Sequence, residues 1–366
     1  MPHTYELSIG VLYPIYCGAC VYYIQKPPTP TVLLQALKIV RPTVMLSVPL
    51  IIEKIYRNSV VPTIQKSRAL RWMKKNMPMV LYRIIGMKLK KTFGGRLKFF
   101  GIGGAKVDTN VEIFLKKAKF PYAIGYGLTE TAPLICAAGV KYTKPGSTGT
   151  AVFGASVKLD NVNPKTGEGE IVTKGNHVML GYYKDPERTR TVFTDDGWFR
   201  TNDLAVMDDK GRFYIKGRLN NMILGPSGEN IYPEEIESVI NNLDEVKESI
   251  VMEKDGRIVA MVHFNENILD WNTEGSDQFF EKLEARKQAV LNYVNKHVNK
   301  FSKINDVEVV KEPFEKTATQ KIRRFKYKKD SSEKPLEGKP TDDRSLDLKA
   351  SEEKPLDVKA SDSKAD

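Results

Sequence analysis

The chain has 366 residues, 41% hydrophobic and 28% charged, which is enough for two domains with cores of their own and too much for a small binding module. Its net charge of +12 fits nucleic acid, an anionic membrane surface or a polyphosphate ligand without choosing among them. No zinc-finger spacing or RRM-like aromatic motif accompanies the basic residues, so nucleic acid is set aside as a partner.

Three cysteines argue against a disulfide scaffold and for a reducing compartment, so a cytoplasmic location is expected. Cys17 and Cys20 form CxxC, but Cys136 and the four His supply no second half of a zinc site. The two are expected to be buried thiols. The start lacks the basic region of a secretory signal. The apolar run Ile9 to Ile24, broken by Pro14 and Gly18, is shorter than the ~20 residues of a membrane span and reads as a buried segment.

From Thr31 the apolar spacing predicts a helix, then a strand over Thr43 to Val48, then a helix after Pro49. Residues 68–100 mix Trp72, Met73, Met77, Met79 and Ile85 with Arg71, Lys74, Lys75, Arg83, Lys88, Lys90 and Lys91. A basic helix with an apolar face is an ordinary surface helix or one that leans on an anionic bilayer. A short buried strand, Leu97 to Ile102, ends in Gly103-Gly104-Ala105, where a ligand can approach the backbone or the chain can simply turn. A helix over 108–118 leads to a strand at Pro121 to Ile124 and then to Tyr126-Gly127-Leu128-Thr129-Glu130-Thr131. That is the strand-to-loop position where open α/β sheets bind ligands. The hydroxyl of Thr129 and the carboxylate of Glu130 suit a Mg2+ ion bridging phosphate oxygens.

The stretch Gly181 to Glu237 alternates Tyr-Tyr, Trp-Phe and Phe-Tyr-Ile with Asp-Asp-Gly, Asp-Asp-Lys-Gly and Gly-Pro-Ser-Gly, the pattern of short strands joined by tight turns. Its loops present Asp203 and Arg218, either a pair suited to a ribose or ordinary surface turn residues. A helix from Pro233 to Leu243, strands over Glu248 to Glu253 and Arg257 to Phe264, and a long helix over about Asp277 to Val298 follow. After Lys329 a ten-residue repeat rich in Ser, Glu, Lys, Pro and Asp has too little apolar surface to fold.

YGLTET (126–131), GWFRTND (197–203), GRFYIKGRLNNMI (211–223), GPSGENIYPEEIE (225–237) and KTATQKIRR (316–324) resemble, in order and spacing, the core motifs of the adenylate-forming enzymes. Within them the chain is most similar to the long-chain fatty acyl-CoA synthetases, on the GPSGENIYP run and on RPTVMLSVPLIIEKIY (41–56). The resemblance implies an α/β fold class: mixed sheets with helices and a small β-subdomain over 1–217, belonging to a larger adenylate-binding domain. A hinge at 218–221, a mobile α+β domain over 222–328 and a disordered tail over 329–366 complete it. It implies an ATP-dependent, AMP-forming ligation of a long-chain fatty acid to CoA with Mg2+. Location is read from the residues instead: cytoplasmic from the cysteines, with peripheral contact to an anionic membrane as the variant that the basic stretch leaves open.

Residue by residue, Gly103, Gly104 and Ala105 match the segment along adenine, and Tyr126 with Gly127 the aromatic turn at the base. Thr129 and Glu130 match the phosphate and Mg2+ contacts, Asp203 the carboxylate on the ribose hydroxyls, and Arg218 the cation beside it. His3 matches a position near the acyl site. Lys321 matches the lysine that bridges the fatty carboxylate and the α-phosphate, offsetting their repulsion. Ser227, Gly228 and Glu229 match the loop that meets the pantetheine arm of CoA after the hinge turns.

The family's Ser/Thr/Gly-rich phosphate loop has no counterpart here and is expected before residue 1, so the chain reads as starting inside a domain, with a separate chain as the carrier of that part. Gln320 and Asn202 stand where the family has glycine. Two other readings stay open: an enzyme that loads an acyl carrier protein, and a non-catalytic fragment.

Overall fold

The computed structural model describes residues 3–25, 30–225, 228–266, 268–317 and 322–327. Ser227, Lys321 and the expected tail lie outside the described residues.

Three short apolar runs become parallel strands: β1 (Val44–Ser47), β2 (Phe99–Ile102) and β3 (Tyr122–Tyr126). Antiparallel β4 (Cys136–Ala138) and β5 (Thr150–Ala151) extend the sheet. Val44 lies opposite Phe99, and Phe100 opposite Tyr122, so the three parallel strands end along one edge. That edge is where crossover loops leave room for a ligand. The chain is thus α/β, as its alternating pattern predicts.

Helices cover the sheet through a core that includes Leu81, Phe93, Phe100, Leu115 and Tyr122. Asp108 caps helix Thr109–Lys117 by accepting from the Asn110 N–H at 2.7 Å. Helix Pro78–Thr92 approaches the end of that helix at Gly86, where an added Cβ would lie 2.0 Å from the Ala118 carbonyl oxygen. Only glycine permits that approach. The basic stretch forms two helices, Arg68–Asn76 and Pro78–Thr92, because the residue before a proline is pushed out of the helical region.

The N-terminal expectations require correction. No residue of the helical turns Glu6–Leu12 and Tyr13–Tyr16 is buried, and Cys17 and Cys20 are exposed rather than buried. Tyr5 packs against Gly101 and Gly103 of the sheet edge, and the turns beyond it find no second layer among the described residues.

A second sheet is an antiparallel meander of β6 (Ser156–Asp160), β7 (Gly169–Lys174), β8 (Phe199–Met207) and β9 (Phe213–Arg218). Tyr182-Tyr183 is not a strand: Asp185 accepts from the Arg188 N–H at 3.0 Å and starts helix Pro186–Thr191, with the proline in its first turn. The two sheets share a small core in which Ile135 and Cys136 meet Ile171, Ala205 and Phe213, with Tyr126 packed against it.

Beyond β9, a single turn Leu219–Asn221 leads to the hairpin β10 (Ile223–Leu224) and β11 (Asn230–Ile231) and to helix Pro233–Ile240. A three-stranded sheet follows, β12 (Val246–Lys254), β13 (Arg257–Phe264) and β14 (Asp306–Val309), covered by helix Asp277–His297. Polar contacts tie this part to the first sheet's helices and loops. Arg57 Nη1 donates to the Asn241 carbonyl at 2.6 Å, and Lys106 Nζ lies 3.5 Å from Glu235 Oε1.

Candidate active site

The loops that leave β2 and β3 at the shared edge line a cleft of about 160 Å³. Gly103, Gly104, Tyr126, Gly127, Thr129, Glu130, His3 and Arg218 all face it. Gly104 adopts φ +88, a left-handed turn with open space where a Cβ would stand. At Gly127 an added Cβ would lie 1.7 Å from the Pro133 carbonyl oxygen, so the loop closes only around glycine. Ala105, expected beside them, does not line the cleft. It is exposed, because the Gly104 turn carries the chain away before Val107 re-enters the core.

Asp203 on β8 and Arg218 on β9 are direct cross-strand partners. The Asp203 carboxylate is buried: its Oδ2 accepts from the Tyr126 hydroxyl at 2.7 Å, and its Oδ1 lies 3.3 Å from Arg218 Nε. Burial, then the adjacent carboxylate, push the Tyr126 phenol well above its ordinary value, so it remains protonated and donating. Arg218 keeps 46% of its side chain exposed, which leaves its guanidinium open to the cleft. Asp203 itself lies just behind the cleft lining, with its carboxylate fixed between a phenol and a half-open cation that both line it.

Glu130 accepts at Oε1 from the Tyr182 hydroxyl at 3.0 Å, and Arg188 stacks over the Tyr182 ring at 4.2 Å. Among the described residues no three His, Cys, Asp or Glu side chains converge. A divalent ion at Glu130 would therefore draw its other ligands from phosphate oxygens and water, which is how Mg2+ is commonly shared between protein and nucleotide. His3 accepts from the Tyr5 N–H at Nδ1 at 3.1 Å, which places its ring proton on Nε2.

Sequence reasoning missed Thr131, Tyr5 and Tyr182. Thr131 is fully buried, and its hydroxyl bridges the Leu128 backbone and the Pro133 carbonyl, fixing the loop that carries Thr129 and Glu130. A hydroxyl three residues after a loop backbone N–H was the available signal for Thr131. Nothing local marks Tyr5 or Tyr182, whose partners are remote in sequence.

Of the C-terminal candidates, Gly228 and Glu229 close the β10–β11 turn, with the Gly225 N–H donating to the Glu229 carbonyl at 2.8 Å. The buried Glu229 Oε2 has no hydrogen-bond partner among the described residues. Lys316 and Ile322 form an antiparallel bridge, and Arg324 pairs with the buried Glu237.

A family model described as AMP-binding enzyme matches residues 1–183. Over 272 residues the chain is 31% identical to long-chain-fatty-acid–CoA ligase 3 of Saccharomyces cerevisiae, covering 70% of this chain and 38% of the yeast protein. Over 203 residues it is 38% identical to the long-chain-fatty-acid–CoA ligase FadD13 of Mycobacterium tuberculosis, covering 52% of this chain and 38% of that protein. The chain thus spans well under half the length of these curated relatives. Its fold superposes with a TM-score of 0.65 on o-succinylbenzoate CoA synthetase of Bacillus subtilis in complex with an acyl-adenylate intermediate, at 20% identity over 91% of this chain and 60% of that one. That likeness bears on fold alone. The family match covers half of the 366 residues and contains the glycine loop, Tyr126 and Glu130, and the chain belongs to the AMP-binding enzyme family of adenylate-forming enzymes.

Proposed function

We propose that the chain holds the adenylate in an AMP-forming ligase that activates long-chain fatty acids and passes them to CoA. The observation that carries this reading is the buried Asp203 carboxylate, held between Tyr126 and Arg218, both of which line the glycine-rich cleft. A vicinal diol donates two hydroxyls to one carboxylate, so Asp203 suits the ribose of ATP, with Gly103 and Gly104 leaving room for the base against the backbone. The two curated relatives, both long-chain-fatty-acid–CoA ligases by name, support the acid and the thiol.

In the first step a carboxylate oxygen of the fatty acid attacks the α-phosphorus of ATP and pyrophosphate leaves, giving acyl-AMP. In the second the CoA thiolate attacks the acyl carbonyl and AMP leaves. Lys321 lies outside the described residues and takes its role from its motif, an ammonium that offsets repulsion between two anions. Thr129 offers a hydroxyl to phosphate oxygens, and Glu130 would hold Mg2+, which when bound neutralises phosphate charge. The turn at 218–221 is the proposed hinge and 222–328 the proposed mobile domain, which brings Gly228 and Glu229 to the thiol's path.

Calorimetric titration with a non-hydrolysable palmitoyl-AMP mimic tests the reading. Saturable binding is expected, weakened at least about tenfold in Asp203→Asn, whereas in the chain supplied with a segment carrying the phosphate loop Lys321→Ala lowers palmitate-dependent ATP–pyrophosphate exchange by about a hundredfold or more. Absence of mimic binding would sink the proposal. Transfer to a phosphopantetheinylated carrier in preference to CoA would replace its second step.

A further inference from the structure

Between Glu53 and Asp108 the chain carries fourteen Lys and Arg and neither Asp nor Glu. Most of that charge sits on helices Arg68–Asn76 and Pro78–Thr92 and the residues beside them. The fold uses one face of each helix: Leu70, Met73, Tyr82 and Ile85 pack against the core, and Leu81 and Leu89 are buried in it. A second set of large apolar side chains points outward. Trp72 is 60% exposed, Met79 52%, Val80 43% and Met87 65%.

Helical spacing interleaves these with the charges. Trp72 is one turn from both Arg68 and Lys75, and Val80, Arg83, Met87 and Lys91 follow at steps of three and four along one outer stripe. Core packing does not account for the outer apolar set, since the inner faces already supply it. A solvated basic face would have no use for an exposed Trp ringed by cations.

The geometry points to a docking surface for an anionic lipid bilayer on the outer faces of these two helices. Lys and Arg attract acidic headgroups, each raising affinity roughly fivefold near a charged leaflet. Trp72 suits the headgroup level, and Met79, Val80 and Met87 suit the shallow acyl boundary beneath it. Met and Val offer neither hydrogen bonds nor stacking to nucleic acid bases, so single-stranded nucleic acid fits the outer stripe less well. No helix among the described residues is long and apolar enough to cross a membrane, and the contact proposed lies on the bilayer rather than through it. The surface stands on its own observations and does not depend on the reaction proposed above.

Co-sedimentation of the full chain with vesicles of pure phosphatidylcholine, and of equal parts phosphatidylcholine and phosphatidylglycerol, tests it. Binding to the mixed vesicles is expected to be at least about tenfold tighter, and to be largely lost at about 0.5 M salt. Arg71→Gln with Lys75→Gln, and independently Lys88→Gln with Lys91→Gln, should each lower that affinity about tenfold or more. Trp72→Ala should lower it several-fold while leaving the salt dependence in place, and Trp72→Phe should remove a blue shift in emission on vesicle binding. These side chains are exposed, and unchanged melting midpoints would show that the variants fold. Equal binding to both vesicle types, or charge-pair variants that bind as the parent does, would overturn the proposal. So would a single-stranded oligonucleotide that binds with the same dependence on Trp72 while the vesicles stay unbound.

Discussion

Tyr126 and Asp203 are 77 residues apart in sequence and belong to different sheets, yet the phenol donates a 2.7 Å hydrogen bond to the carboxylate. Tyr126→Phe removes one hydrogen bond from a buried carboxylate, at a cost of about 1–3 kcal/mol. The urea midpoint should fall accordingly, and affinity for an adenylate mimic should weaken less than in Asp203→Asn. An unchanged midpoint would mean that the bond contributes nothing in solution.

Asn202, the residue before Asp203, adopts φ +60, and its N–H donates to Glu170 Oε1 at 2.9 Å. Asn tolerates the left-handed region and Gly prefers it, which explains how Asn can stand where the family has glycine. Asn202→Gly should stay within about 0.5 kcal/mol of the parent, while Asn202→Val should lose about 1–2 kcal/mol. Equal stability of the two variants in denaturant would contradict the strain argument.

Glu112 is 3% exposed and accepts the Gly146 N–H at 3.0 Å. Burial pushes its carboxyl from the ordinary 4.5 up to about 7. The folded chain therefore holds a proton there that the unfolded chain releases, and stability is full below about 4.5, declines as pH rises toward about 7, and then levels. Glu112→Gln removes this contribution while keeping an acceptor for Gly146. The difference in unfolding free energy between parent and variant should shift in the variant's favour by up to roughly 3 kcal/mol across that window. A difference independent of pH would refute the assignment.

Glu237 is buried, accepts the Val251 N–H at 2.6 Å and pairs with Arg324, three residues after Lys321. Removing one partner leaves the other charge buried, so Glu237→Ala should cost about 3–5 kcal/mol. Glu237→Leu with Arg324→Met should recover most of that loss in a double-mutant cycle. Additive losses would show that the two charges do not act as a pair.

Much of the fold was legible from local pattern. Strand Arg257–Phe264 and the helices from Pro30, Thr109, Pro233 and Asp277 follow apolar spacing, caps and prolines, which act over a few residues. The short strands β4, β5 and β14 were not, because two to four residues carry too little periodicity and are held in place by neighbours. The glycines of the cleft were legible as glycines, and Gly104 and Gly127 sit where the backbone needs them. Their neighbour Ala105 is exposed and outside the cleft lining, a placement set by the left-handed turn at Gly104 and not legible from adjacency in sequence.

The sequence by itself determined which elements form, which residue types stand at the strand ends and, through its ordered motifs, the family. The tertiary structure alone decided that Tyr126 reaches Asp203, that Tyr182 holds Glu130, that Cys17 and Cys20 face solvent, and that Trp72 and Met87 point outward. The reason is physical: propensity and capping are settled within a few residues, whereas burial and cross-sheet hydrogen bonds exist only once distant segments pack.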